Sequence, residues 1–526
     1  MSETLNKASC TGATLAAPAG KGLAARLPAL PLSVGAMVIF LLAVVSSLVI
    51  AFRSGGRTEG VELWTSAREH YYMYQPVVEA WNAAAGGDAD RIKMTLLSMP
   101  ALEQRMLSGF LSGTPTAQLL EVERRIAARA FFGPIESVGF VDLTDRLRAE
   151  GLLDSLNGPS FSPWTSQGRV FGIPHDVHPV MLGYRADLIE GAGIDVSKVK
   201  TWNDLFVALA PLMQEKDAQG EPLHYPLNFW PTHFDLIEVL LLQAGGGYFD
   251  ADGRSVVDSA ANHRVIASLA SWCAGKPFPE GTRIAGDAQD FSASGNNLKI
   301  KGHVLCFLMP DWMCGIYRRE MPQLAGKIKL MPIPAWSENG ENGLSTRRTS
   351  VYGGTMMGIS KAAAADPVEF ERLLAMAKKL YLSEELARTL WTKGEIITPN
   401  KSMWPDPMFD EPDAFFGNQA KGRLYVNLAT EVPARSSSPY FVIAQARVQD
   451  ALIAVHKAAK AMDEAGETPT VEKLLPLAKV QLGLAAEAVQ RVMVRNRFLK
   501  RPGPVAAAAA VKTGAGVEAG PTGAGR

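Results

Sequence analysis

The sequence predicts an α/β protein standing behind one membrane-spanning helix. Three observations carry this. Strand-like and helix-like patterns alternate after residue 61, which implies a largely parallel sheet covered by helices. No residue from Leu27 to Phe52 is charged, and a bilayer core is crossed by about 20 apolar residues of helix. The chain has 526 residues, 47% of them hydrophobic, enough for two or three folding units with full cores.

Charge narrows the classes of function. Lys+Arg and Asp+Glu each number 53, so the net charge is zero. No global basic field favours nucleic acid, and no nucleic-acid partner is expected. Lys7, Lys21 and Arg26 precede the apolar run with only Glu3 against them, and Arg53 and Arg57 follow it. This moderate positive-inside signal puts the N-terminus in the cytoplasm. Residues 1–30 read as a disordered cytoplasmic segment, 31–53 as a transmembrane signal-anchor, and everything beyond Arg53 as exported. A cleaved signal peptide is the alternative, but the apolar core is long for one and offers no good Ala-x-Ala site before Arg53. Cys10 lies ahead of the run, so it is no lipoprotein cysteine. Beyond the run stand Cys273, Cys306 and Cys314. Buried free thiols are the expectation for them, with a disulfide between Cys306 and Cys314 as the alternative. No Cys or His spacing fits zinc, so no metal and no cofactor are expected.

The elements follow in order. Residues 61–65 form a strand ending in a polar turn. A helix pattern at 72–85 is closed by Gly86 and Gly87, and a second strand follows at 92–97. Residues 101–111 are amphipathic, with Leu102, Met106 and Phe110 on one face and Gly113 past the end. A tight turn at 172–174 leads into an apolar run at 180–184. A short helical piece closed by Gly191 and Gly193 comes next, then Thr201 ahead of a Trp-led amphipathic helix. Residues 245–253 read as a hairpin or tight loop, followed by a helix at 255–272. A strand at 304–309 ends in a turn at 310–312. Strand-like residues at 330–334 and 352–361, a helix at 368–382 and another from Ser383 follow. Helices dominate 440–499, and the Ala/Gly/Pro/Val tail beyond Pro502 is expected to be unstructured.

Several of these stretches carry a resemblance. Phe171-Gly-Ile-Pro, the run ending Tyr184-Arg-Ala-Asp, then Ala192-Gly-Ile and Thr201-Trp resemble a particular segment of the family 1 extracellular solute-binding proteins, the maltose-binding-protein-like sugar-binding class. There the chain first crosses between two lobes. Arg185 and Ala186 stand where that family usually has Asn-Lys. Residues 138–147, 245–253, 304–312, 352–361 and 394–401 resemble other elements of the same family, in the same order. Pro310-Asp311 replaces the usual Gly-Ser before Trp312. Gly113-Thr-Pro-Thr-Ala-Gln-Leu lacks the Asp that relatives carry after the second helix. The resemblance covers about residues 61–494.

It implies a periplasmic-binding-protein type II fold, with two α/β lobes joined by a multi-strand hinge. The first lobe is expected from 61–174 with 300–352, the second from 175–299 with 353–500, and a disordered tail at 501–526. It implies a binding protein, not an enzyme. A sugar or related polyhydroxy solute would be captured between the lobes and delivered to ABC permease subunits in the membrane, with the binding domain in the periplasm or extracellular space. A membrane-tethered sensor of the same fold is the alternative. An exported glycoside hydrolase is a further one, which would need two carboxylates about 5–10 Å apart. No Gly-x-Ser-x-Gly, Walker or dinucleotide motif is present.

Sugar rings stack their C–H faces on aromatic planes, and their hydroxyls meet planar polar groups. Loops at the carboxyl ends of parallel strands are where such groups gather. Trp64, Thr65 and Ser66 end the first strand and line the cleft in relatives; the alternative is that Trp64 caps the core. Asp176 and His178 follow the Gly-Ile-Pro turn, either as ligand contacts or as a hinge loop whose Asp satisfies backbone N–H groups. Trp230, before Pro231 in a polar loop, is the second-lobe candidate. Asp311 would meet hydroxyls while Trp312 stacks on the sugar. Tyr352, Gly353 and Gly354 form a turn that lets backbone approach a ligand. Trp202 and Trp272 read as core; Trp336, Arg347 and Arg348 read as a surface loop.

Overall fold

The computed structural model describes residues 33–52, 60–220, 222–274 and 283–496. The expected disordered segments at 1–30 and 501–526 lie outside them, apart from their neighbours. The chain divides into a unit of 1–58 and a unit of 59–526. In the first, α1 (Val34–Phe52) carries most of the uncharged run. Among the described residues no helix is long and apolar enough to cross a membrane. Residues 31, 32 and 53 of the expected span lie outside the described residues.

The second unit holds two five-stranded sheets. The strands are β1 (Val61–Thr65), β2 (Ile92–Leu96), β3 (Leu119–Glu123), β4 (Ile173–Pro174) and β5 (Val180–Arg185). β6 (Tyr225–Asn228), β7 (Ala285–Gly286), β8 (Val304–Pro310), β9 (Ile328–Pro332) and β10 (Thr355–Ile359) complete them. The first sheet has the order β2-β1-β3-β10-β4 and the second β9-β5-β8-β6-β7. β1 lies parallel to β2, with Val61 opposite Ile92, and β10 antiparallel to β3, with Met356 opposite Val122.

This topology corrects the expected division of the chain. β8 and β9 belong to the second sheet, not to the first lobe, and β10 belongs to the first sheet. Every residue of β8 is buried. Its backbone groups are paired on one side with β5 and on the other with β6. A strand apolar on both faces needs such a central place, because an edge would leave backbone donors unmet.

Helices cover both sheets. α2 (Arg68–Ala84), α3 (Met99–Ser112), α4 (Arg124–Ala130) and α9 (Pro367–Leu382) accompany the first. α5 (Trp202–Met213), α6 (Phe234–Gln243), α7 (Ala260–Ala274) and α8 (Asp311–Glu320) follow strands of the second. α10 (Phe441–Glu464) and α11 (Val471–Arg495) pack together and against α7. α2 begins at Arg68, ahead of the predicted Tyr72. Thr201 and Asp204 form a reciprocal capping box at the start of α5, satisfying two orphan donors.

Alternation along β10 shows how one sheet serves two cores. Met357 packs with Val61, Leu63, Ile173 and Leu380, whereas Met356 packs with Leu102, Leu120 and Phe140. Successive strand side chains point to opposite faces. In the other core Trp202 and Trp272 are buried, as expected. Trp336, expected on a surface loop, instead stacks on Trp272 with ring centroids 5.3 Å apart. Arg347 and Arg348 donate to main-chain carbonyls of Leu242, Ile333 and Val199. Cys273, Cys306 and Cys314 are buried free thiols, and burial pushes all three up.

Candidate ligand-binding site

Chain connections bring the ends of the two sheets together. β4 passes through residues 175–179 into β5, and the chain returns from β9 to β10 through residues 351–354. A third passage, at 432–440, leads into α10. Most of the predicted site residues lie on or beside these connections.

The first connection is built on charge. His178 Nδ1 lies 2.7 Å from Asp311 Oδ1, and His178 Nε2 lies 3.1 Å from Asp176 Oδ2. Burial opposes a charge on His178, but the two carboxylates outweigh it and raise the imidazole to about 10. Burial likewise works against the Asp176 carboxylate, yet His178 and His175 hold it well below the usual range. His178 is therefore an imidazolium clamped between two carboxylates. Its φ of 53° is in the left-handed region, unusual for a side-chain-bearing residue.

These bonds correct two expectations. Asp311 is fully buried. Its Oδ1 also accepts from Trp312 N–H at 2.8 Å, and its Oδ2 accepts from Ile397 N–H at 2.7 Å. No face of that carboxylate is left for a sugar hydroxyl. Asp176 Oδ2 accepts from Thr355 N–H at 3.2 Å, which is the hinge-loop reading of that residue. Both carboxylates are structural links: Asp311 ties the 175–179 connection to the backbone at Trp312 and Ile397, and Asp176 ties it to the start of β10.

Trp312 stands on this platform, half-buried at the first turn of α8. Its indole N–H donates to the Tyr352 carbonyl at 2.9 Å, and the Tyr352 ring meets it edge-on at 5.4 Å. Gly353 and Gly354 have φ of 101° and 118°. A Cβ on Gly353 would come within 2.9 Å of the Trp312 indole nitrogen. The turn needs glycine both for its backbone and for this close approach.

Aromatic side chains follow three neighbouring strands of the second sheet. β8, β6 and β7 are parallel neighbours. Just beyond their carboxyl ends stand Trp312, Trp230 and Phe291. Trp230 is half-buried, its ring 4.5 Å from that of His233. Phe291 is exposed, has a left-handed φ of 59°, and lies nearly parallel to Trp312 with centroids 6.3 Å apart. Sequence reading missed Phe291, since a loop phenylalanine carries no periodic signal. At the end of β1, Trp64 is only 9% exposed and packs with Leu102, Met106 and Leu120. It caps the core, and the Arg105 guanidinium sits 5.9 Å over its ring. Thr65 is fully buried, its hydroxyl oxygen accepting from Ala67 N–H; Ser66 is half-buried.

A second group of residues escaped the sequence reading. Arg124 and Arg125 open α4, directly after β3. Arg124 Nη2 donates to Glu238 Oε2 at 2.5 Å, and both side chains are buried. Arg125 Nη2 donates to Asp235 Oδ1 and Oδ2 at 2.9 and 3.2 Å. Glu238 and Asp235 sit on α6, which follows β6 and the Trp230 loop. Two ion pairs thus bridge the ends of the two sheets. The Arg124 guanidinium also lies 3.8 Å over the Phe441 ring. The adjacent basic pair in the sequence was the available clue.

Comparisons with known proteins agree with this architecture. The family model described as bacterial extracellular solute-binding protein matches residues 64–380. The chain is 24% identical over 362 residues to an arabinooligosaccharide-binding protein of Halalkalibacterium halodurans, covering 69% of this chain and 76% of that protein. It is 24% identical over 341 residues to a lactose-binding protein of Rhizobium radiobacter, covering 63% and 73%. Among solved structures, the sugar-binding protein MalE of Xanthomonas citri superposes with a TM-score of 0.61 at 14% identity, covering 83% of this chain and 99% of that one. A solute-binding protein of Thermotoga lettingae bound with α-D-tagatose gives 0.58 at 15%, covering 83% and 100%. The fold is that of the type II periplasmic binding proteins.

Proposed function

The chain belongs to the bacterial extracellular solute-binding proteins, and we propose that it captures a sugar or related polyhydroxy solute between its two sheets and hands it to an ABC permease. It is a binding protein rather than an enzyme, as its family and relatives indicate. The observation that carries the sugar reading is that Trp312, Trp230 and Phe291 each follow one of three adjacent parallel strands, with Phe291 stacked on Trp312. Aromatic faces placed at strand ends bury the apolar side of a pyranose or furanose ring. Relatives named for arabinooligosaccharide and lactose binding support the same class of solute. Tyr352, Gly353 and Gly354 hold Trp312 in place, while Asp176, His178 and Asp311 tie the connecting segments.

The uncharged run from Leu27 to Phe52, flanked by Lys21, Arg26, Arg53 and Arg57, supports a membrane tether with the binding domain outside the cytoplasm. Two measurements test the proposal. Purified full chain is screened by thermal shift against sugars, polyols and sugar acids, since a ligand that binds only the native form raises the melting temperature. No shift with any of them sinks the capture reading. Alkaline-phosphatase fusions after Arg57 are expected to be active, and inactive fusions refute export.

A further inference from the structure

We propose that the ligand carries an anionic group, the carboxylate of a sugar acid, and that Arg435 receives it; this rests on the solute-capture reading above. Arg435 lies in the third connection and is 6% exposed. Its backbone N–H donates to Ser162 Oγ at 2.7 Å and its Nη2 to the Gly353 carbonyl. The Nε has no hydrogen-bond partner. Among the described residues no carboxylate forms an ion pair with it.

The neighbouring charges are already engaged. Arg124, Glu238, Glu123 and Asp176 face Arg435. Glu238 is paired with Arg124 and Asp176 with His178. Glu123 accepts from Arg125 N–H at 2.9 Å, and burial raises its carboxyl toward the neutral form. Burial, with Arg124 repelling, lowers the Arg435 guanidinium to about 10, so it stays cationic at neutral pH. A buried cation without its own counter-charge is costly, and a partner that brings the opposite charge recovers that cost on binding.

The guanidinium also has somewhere to receive such a partner. Arg435 lines a cavity of about 20 Å³ with Ser160, Trp164, Asp176, Gly354 and Pro433. That admits the oxygens of one small group, not a sugar ring, against the roughly 10–15 Å³ that one water needs. All three connections contribute to its wall. A Cβ on Gly354 would stand 3.0 Å from Arg435 Nη2, so glycine keeps the guanidinium clear. Arginine's planar fork suits a carboxylate, which can take two parallel N–H bonds.

The test uses purified full chain at constant ionic strength, with five probes: D-galacturonate, digalacturonate, their neutral counterparts galactose and galactobiose, and inorganic phosphate. The acids are expected to bind at least about tenfold tighter than the neutral sugars, the range of a charged hydrogen bond. Added salt should weaken the acids alone. Arg435→Met, folded by circular dichroism, should lose that preference, and Arg435→Lys should keep part of it. If Arg435→Met does not fold, the acid-to-neutral ratio and its salt dependence in the wild-type chain decide alone. Neutral sugars binding as tightly as acids overturn this inference and leave sugar capture standing. Phosphate binding as well as the acids overturns the sugar-acid assignment, and retention of the preference by Arg435→Met overturns the role of Arg435. A chain shifted by neither these acids nor these neutral sugars overturns this inference, and the wider screen of sugars and polyols then decides the capture reading.

Discussion

His178 and Asp311 meet at 2.7 Å although they belong to different segments, one a connection between the sheets and the other the first turn of α8. The same carboxylate holds the backbone of Trp312. The charge that ties the connecting strand therefore also sets the aromatic plane on which a solute would rest. Asp176 completes the arrangement from the other side of the imidazole.

This geometry predicts a pH window. His178 is raised from 6.5 to about 10, so its contribution is complete below pH 6.5 and disappears as pH climbs toward 10. Asp176 is held below its ordinary 3.8, so its contribution is present above that pH and is lost as pH falls beneath it. Stability from this cluster should peak between these limits. Urea midpoints of wild type should fall between pH 6.5 and 10 more steeply than those of His178→Gln. Parallel curves would show that the imidazole is not charged.

Asp311→Asn leaves an imidazolium short of one partner in a buried site. Removing one side of a buried pair costs about 3–5 kcal/mol. Urea unfolding should show a loss of that order, together with weakened ligand binding through Trp312. An unchanged midpoint would mean the carboxylate is not engaged as described.

Trp230 and Trp312 should separate stability from binding. Trp312 is anchored by a hydrogen bond and packed on Tyr352, so Trp312→Ala should lower both affinity and melting temperature. Trp230 is half-buried and packs on His233 in a loop, so Trp230→Ala should abolish the ligand-induced shift with little change in the free protein. Full affinity in both variants would displace the site from these second-sheet aromatics.

Arg124 and Glu238 join the two sheet ends, so Glu238→Gln should favour separation of the sheets. Small-angle scattering of the unliganded protein should then give a larger radius of gyration than wild type. Equal radii would show that the ion pair does not set the spacing.

Gly353→Ala brings a methyl group within 2.9 Å of the Trp312 indole nitrogen and strains a backbone at φ 101°. Misplacing the ring should weaken binding more than it lowers the melting temperature. The reverse order would make the turn a purely structural element.

Much of this was legible in the chain. Thr201 announced the start of α5, the apolar stretch at 304–309 announced a strand, and Trp202 and Trp272 announced a core. Local chemistry decides these, because caps and side-chain periodicity act within a few residues. The ordered Gly-Ile-Pro, Gly-Gly and Trp elements also pointed to the family. Strand partnership was not legible: β8, β9 and β10 were assigned to the wrong lobes. Which sheet a strand joins depends on backbone pairing with segments far along the chain. The roles of Asp176 and Asp311 went the same way. Two carboxylates and a histidine look like ligand contacts when read one by one. Folding brought them within hydrogen-bonding distance of each other, and burial then made that pairing the only low-energy way to keep their charges.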